Sequence, residues 1–137
     1  MIQKDYIQRM IEQISKVLGL LMGLDVPEDK IKIINEAYAR WLKENPDYLR
    51  KLTPDNIVEV LVRGKGYGAE QSEFLAELLA EEGKAEAERG YSVLAVDLWR
   101  KSLVLFDYVN DEQQLFSFER QAKIETIEQL IKDHSRV

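Results

Sequence analysis

The side chains best equipped for chemistry are a run of carboxylates between residues 70 and 88 and one histidine, His134. Glu70, Glu73, Glu77 and Glu81 recur at helical spacing and share a face, and Glu82, Glu86 and Glu88 follow. Glutamates in a helical bundle can hold a di-iron centre, but that chemistry also needs two Glu-x-x-His motifs. A single histidine cannot supply them. Oxygen-only binding of magnesium or calcium is the metal chemistry left open. A solvated face, partly paired with lysine and arginine, is the simpler expectation. No catalytic residue, cofactor-binding residue or metal ligand is nominated, and no cofactor is expected.

His134 stands three residues from the end of the sequence. A general base needs a positioned partner, and terminal segments are ordinarily mobile, so a solvated residue at a helix C-terminus is expected. Gly64-Lys65-Gly66-Tyr67-Gly68 invites a phosphate-loop reading, since glycines expose backbone N–H groups ahead of a helix. It lacks the Walker spacing, the hydroxyl residue after the lysine and a preceding strand. A flexible connection is expected instead, with Tyr67 either packed back onto the core or exposed. With one histidine, close to the end of the sequence, a serine triad built on Ser15, Ser72, Ser92, Ser102, Ser117 or Ser135 is not expected. Tyr38, Trp41, Trp99 and Phe106 read as core rather than as a ligand box.

These groups depend on a scaffold that composition constrains. The 137 residues suffice for one domain with a real core, and 45% apolar and 32% charged residues suit a folded globular chain. The absence of cysteine excludes disulfides, thiolate zinc sites and cysteine nucleophiles. A net charge of −6 makes nucleic acid and anionic membrane surfaces poor partners. The most apolar run, residues 17–24, is too short to span a bilayer. It follows Lys4, Asp5, Arg9, Glu12 and Lys16 and precedes no small-residue cleavage pattern, so no signal peptide is expected. These features point to a soluble, cytoplasmic protein.

Periodicity predicts helices throughout and no strand. Ile7, Met10, Ile11, Ile14, Val17, Leu18 and Leu21 form one stripe, with Asp5 near its start and Gly23 as its stop. Pro27 opens a second helix whose apolar face is Ile31, Ile34, Tyr38, Trp41 and Leu42, and Asn45-Pro46 ends it. Residues 47–52 make one short turn. Thr53-Pro54-Asp55 starts a helix carrying Ile57, Val60 and Leu61, with Thr53 as its N-cap. The glycine-rich segment 64–68 marks the boundary between sub-halves 1–63 and 69–137 of a single helical domain. A helix over 69–88 carries Phe74, Leu75, Leu78 and Leu79, and Gly90 separates it from a helix over 91–109. That second helix is apolar around most of its circumference and is expected at the centre of the core. Asn110-Asp111 then caps a last helix carrying Leu115, Phe116, Phe118, Ile124, Ile127, Leu130 and Ile131.

Residues 69–109 therefore read as an antiparallel hairpin whose helices touch at small residues, Gly83 and Ala95, with Trp99 and Leu103 supplying bulk beyond them. The order Gly83, Gly90, Ala95, Trp99, Ser102 resembles one tetratricopeptide repeat. The likeness covers about a quarter of the chain. Glu86, Ser92 and Asp107 depart from that pattern, and no second copy follows, so a repeat array is not expected. The chain is also similar to a group of small uncharacterised bacterial all-helical proteins. Asp5-Tyr6-Ile7-x-Arg9-Met10-Ile11-Glu12-Gln13 and Leu75-Ala76-Glu77-Leu78-Leu79-x-Glu81-Glu82-Gly83 carry that similarity. It implies a tetratricopeptide-like fold and no established activity.

The fold class expected is thus all-α, one compact domain of about five to seven helices. The leading functional expectation is a non-enzymatic helical module that binds an unknown protein or peptide partner. The broad apolar stripe at Leu18, Leu20, Leu21, Met22 and Leu24 adds a homodimer through the first helix. The alternative is a pocket between helices for a small ligand or substrate.

Overall fold

The computed structural model describes residues 2–135. Seven helical segments and no strand occur among them. They are α1 (Ile2–Met22), α2 (Pro27–Trp41), α3 (Pro46–Lys51), a π-helical turn (Glu59–Gly64), α4 (Ala69–Glu88), α5 (Ser92–Gln113) and α6 (Phe118–His134). The protein is a single all-α domain. None of the described helices is long and apolar enough to cross a membrane.

Side-chain contacts set the helix directions around α4. On α5, Trp99 Nε1 donates to the Ala80 carbonyl at 3.1 Å and Ser102 Oγ to the Ala76 carbonyl at 2.6 Å, so the two helices run antiparallel. On α2, Lys30 meets Glu88 at 3.2 Å and Tyr38 meets Glu82 at 2.7 Å, again antiparallel. On α6, Arg120 meets Glu73 and Lys123 meets Glu77, so this helix runs parallel to α4. Helix α1 sets its start against the end of α2, where the Tyr6 hydroxyl donates to the Trp41 carbonyl. One cluster of buried apolar side chains runs through all of them, from Met10 to Ile127.

The central helix is α4, not α5. Twelve of the 20 residues of α4 are buried, against eight of the 22 in α5. Apolar content misleads here because several buried residues of α4 are glutamates whose charge is met by neighbouring helices. Val93 of α5, by contrast, is 88% exposed.

Two further expectations are corrected. Asn110-Asp111 does not cap the last helix, because α5 continues to Gln113 and turns at Gln114, whose φ is +54°. The cap is Ser117, whose Oγ accepts from the Arg120 N–H at 3.2 Å, and Asn110 Oδ1 is taken by the Arg120 guanidinium at 2.9 Å. Leu115 and Phe116 therefore fall in the connection rather than in α6. The expected cap Thr53 exchanges hydrogen bonds with Asn56 in a turn ahead of the fourth helical segment, whose N-cap is Val58 without a side-chain cap bond, and that segment has π geometry over Glu59–Gly64. The widening follows from its exit: Lys65 N–H reaches the Val60 carbonyl and Tyr67 N–H the Leu61 carbonyl, while Ile57 and Leu61 stay fully buried.

The α4–α5 crossing depends on Gly83. Trp99 is fully buried over it, and a Cβ on residue 83 would stand 2.7 Å from Cδ1 and 2.9 Å from Cε2 of that indole. Gly90 makes the turn with φ +90°, a conformation L side chains rarely adopt. Gly83→Ala should destabilise the protein by about 1–3 kcal/mol, because overpacking outweighs the gain in helix propensity. Gly19→Ala, on the exposed side of α1 with open space around it, should instead stabilise by about 1 kcal/mol. Chemical denaturation of both variants checks the opposite signs.

Candidate functional site

The carboxylates of α4 fall into two sets. Glu82 and Glu86 continue the 4-3-4 spacing of Leu75 and Leu79, which carries them into the core under α2 and α3. They are 2% and 1% exposed. Tyr38 donates its hydroxyl to Glu82 at 2.7 Å, and Arg50 of α3 reaches Glu82 at 3.3 Å and Glu86 at 3.9 Å. Arg89 closes the network, bonding Glu86 at 2.8 Å and Glu28 of α2 at 3.2 Å. Lys101 of α5 is also buried; it pairs with Asp97 at 2.8 Å and donates to the Arg50 carbonyl at the end of α3.

The second set faces α6. Glu73 pairs with Arg120 at 3.3 Å, Glu77 with Lys123, and Glu81 with Lys84 of its own helix at 3.0 Å. Pairing with lysine and arginine thus matches expectation, whereas a solvated face does not. Glu77, Glu82 and Glu86 are buried; Lys123 and Arg50 come from other helices, and Arg89 from the C-cap of α4 itself. The missed signal is the 4-3-4 continuation of the leucine stripe into glutamates. A buried glutamate at such a position requires a cation or donor from a neighbouring helix.

Glu82 and Glu86 could form an acid–base pair only if a substrate reached them, and α2 and α3 cover both. Burial also pushes the Tyr38 hydroxyl well above the ordinary tyrosine range, with Glu82 reinforcing the shift. Tyr38 therefore acts as a neutral donor holding Glu82. This network joins α2 and α3 to α4.

The other candidates are also accounted for. The four N–H groups of residues 65–68 are all occupied, by the carbonyls of Val60, Val62 and Leu61 and by Gln71 Oε1, leaving none to cradle a phosphate. Tyr67 packs inward, with its hydroxyl on Glu44 at 2.7 Å, and Lys65 meets the same carboxylate at 2.8 Å. His134 lies edge-on to Trp99, with ring centroids 5.0 Å apart, and its Nδ1 is 2.9 Å from the Leu130 carbonyl. Those neighbours give it packing rather than a catalytic partner. Tyr38, Trp99 and Phe106 are core, as expected, and Trp41 packs partly buried against it.

An open feature lies on the opposite side of α4. Helices α1 and α6 flank a cleft of about 230 Å³ floored by Ala80, Glu77 and Phe106. Leu18 forms its α1 wall, and Ala122, Lys123, Thr126 and Ile127 its α6 wall. Its lining is mainly apolar, and its charged rim is internally paired. Small-molecule and cofactor sites commonly occupy about 300–1,000 Å³, so the cleft is sized for one or two side chains. Comparison with protein-family models, with curated proteins and with solved structures finds no match to this chain.

The buried network carries a pH signature. Burial holds the Glu82 carboxyl above its ordinary value of 4.5, against the opposing pull of Tyr38 and Arg50. The folded protein thus binds this proton more tightly than the unfolded chain. The Glu82 contribution to stability falls as pH rises from 4.5 through the raised value and then levels off. Glu82→Gln should flatten that part of the profile in denaturant titrations at stepped pH. An unchanged slope would place the titration on another group.

Proposed function

We propose that the protein is a non-enzymatic, cytoplasmic interaction module that takes side chains of a protein or peptide partner into the cleft between α1 and α6. The observation that carries this reading is the cleft itself: mainly apolar in its lining, with its charged side chains paired, and smaller than a cofactor. A helix or extended segment lying between α1 and α6 would place its anchors against Leu18, Ala80 and Ile127. The reading includes the tetratricopeptide-like hairpin, supported by the Gly83–Trp99 crossing and the Gly90 turn. Its helices of 20 and 22 residues outrun the repeat's roughly 34-residue period, so only the crossing and the turn carry the likeness.

Self-pairing through α1 is the second reading, motivated by Leu20 and Met22, which are 58% and 87% exposed. Light scattering at high protein concentration distinguishes it, and a monomer mass would sink it.

Thr126 is exposed on the α6 wall, so Thr126→Trp fills the cleft without entering the core. Proximity labelling in cells should identify a partner whose enrichment drops about tenfold or more in this variant, a loss of about 1.4 kcal/mol. Unchanged enrichment would remove the cleft from the binding surface. A metabolite that raises the melting temperature of the wild type but not of Thr126→Trp would convert the reading to small-ligand binding.

A further inference from the structure

The connection between α5 and α6 and the first residue of α6 present three large apolar side chains to solvent. Leu115, Phe116 and Phe118 are 75%, 69% and 83% exposed. The two phenyl rings stand edge to face, with centroids 4.7 Å apart and planes at 87°, so they form one wedge. Single exposed apolar residues are ordinary, whereas a contiguous cluster of this kind marks a contact surface.

The charged residues of the segment that carries the wedge are of one sign. No lysine or arginine occurs between Lys101 and Arg120, while Asp107, Asp111, Glu112 and Glu119 all do. The two cations that follow are already committed. Arg120 is 5% exposed and bonds Glu73, Asn110 and Gln113, and Lys123 pairs with Glu77. The carboxylates repel one another: burial first, then Asp111 and Glu128, raises the Asp107 carboxyl. Burial followed by Glu112 and Glu70 raises the Tyr108 hydroxyl.

We propose that the Leu115–Phe116–Phe118 wedge docks into an apolar pocket of a partner protein whose rim carries lysine and arginine. Charge complementarity selects this occupant. Basic side chains satisfy the carboxylates and can also lie over the phenyl faces. An anionic membrane surface meets like charge. A second copy meeting the first through the same patch would set identical carboxylates against each other. The proposal rests on the reading of the protein as an interaction module, but it uses a surface separate from the α1–α6 cleft.

The test uses a labelled helical peptide of leucine and lysine, its leucine–glutamate counterpart, and phosphatidylcholine and phosphatidylglycerol vesicles. The leucine–lysine peptide should bind the wild type, and Phe116→Ser/Phe118→Ser should weaken it about tenfold without changing the melting temperature. Asp111→Asn/Glu112→Gln should weaken it about threefold and flatten its salt dependence, as expected for screened surface charge. Thr126→Trp should leave it unchanged, which separates failure of this proposal from failure of the cleft. Equal affinity for the double serine variant would overturn the proposal, as would binding of the glutamate peptide or vesicle binding lost in that variant. Self-association lost in that variant would also overturn it.

Discussion

The fold depends on burying a helix that is itself strongly acidic. Helix α4 has seven glutamates and one lysine, a formal −6 equal to the charge of the whole chain. The remainder of the protein is therefore neutral in sum, and part of its positive charge is spent on α4. Arg50, Arg120, Lys123 and Lys30 come from other helices and Arg89 from the C-cap of α4 itself, and each ties a carboxylate of the central one. An unpaired carboxylate at these depths would cost several kcal/mol, so assembly in any other arrangement is penalised.

Such pairs contribute specificity more than stability. Removing two charges from water costs about as much as their attraction returns, and the partly exposed Arg50 and Lys123 are further weakened by solvent. Favourable free energy comes instead from the apolar contacts the pairs align. Trp99 over Gly83 is one of these, and its indole N–H finds the Ala80 carbonyl, so the ring enters the core without an orphaned donor. The hairpin then fixes a register in which Ser102 reaches Ala76 and Ala95 is fully enclosed.

Much of this was legible in the residues. The start of α2 at Pro27 and the turn at Gly90 follow from local chemistry that tertiary contacts do not override, whereas α2 stops at Trp41, ahead of Asn45; the Gly83 crossing follows from the need for a small residue under a large one. Periodicity could not reveal which helix lies at the centre. It scores glutamate as outward-facing, and the partners that make Glu82 and Glu86 tolerable inside, Tyr38 and Arg50, lie 44 and 32 residues from Glu82. The end of α5 was missed for a related reason. Asn110-Asp111 looks like a cap, but Arg120, ten residues on, claims the asparagine side chain. The α1–α6 cleft has no sequence signal, because it is a gap between α1, which packs on α4, and α6, which packs on α5, rather than a motif in either.

The same distribution of charge accounts for where the surface is left unbalanced. Cations drawn toward α4 are not available at the far end of α5, where the segment carrying the exposed phenylalanines also carries Asp107, Asp111, Glu112 and Glu119. Neutralising these carboxylates from within the chain would require basic residues in the α5–α6 connection. Basic residues there could compete with Arg120 for Asn110 and Gln113, the contacts that end α5 and start α6. Satisfying the core and balancing this surface thus pull on the same segment in opposite directions, and the core prevails.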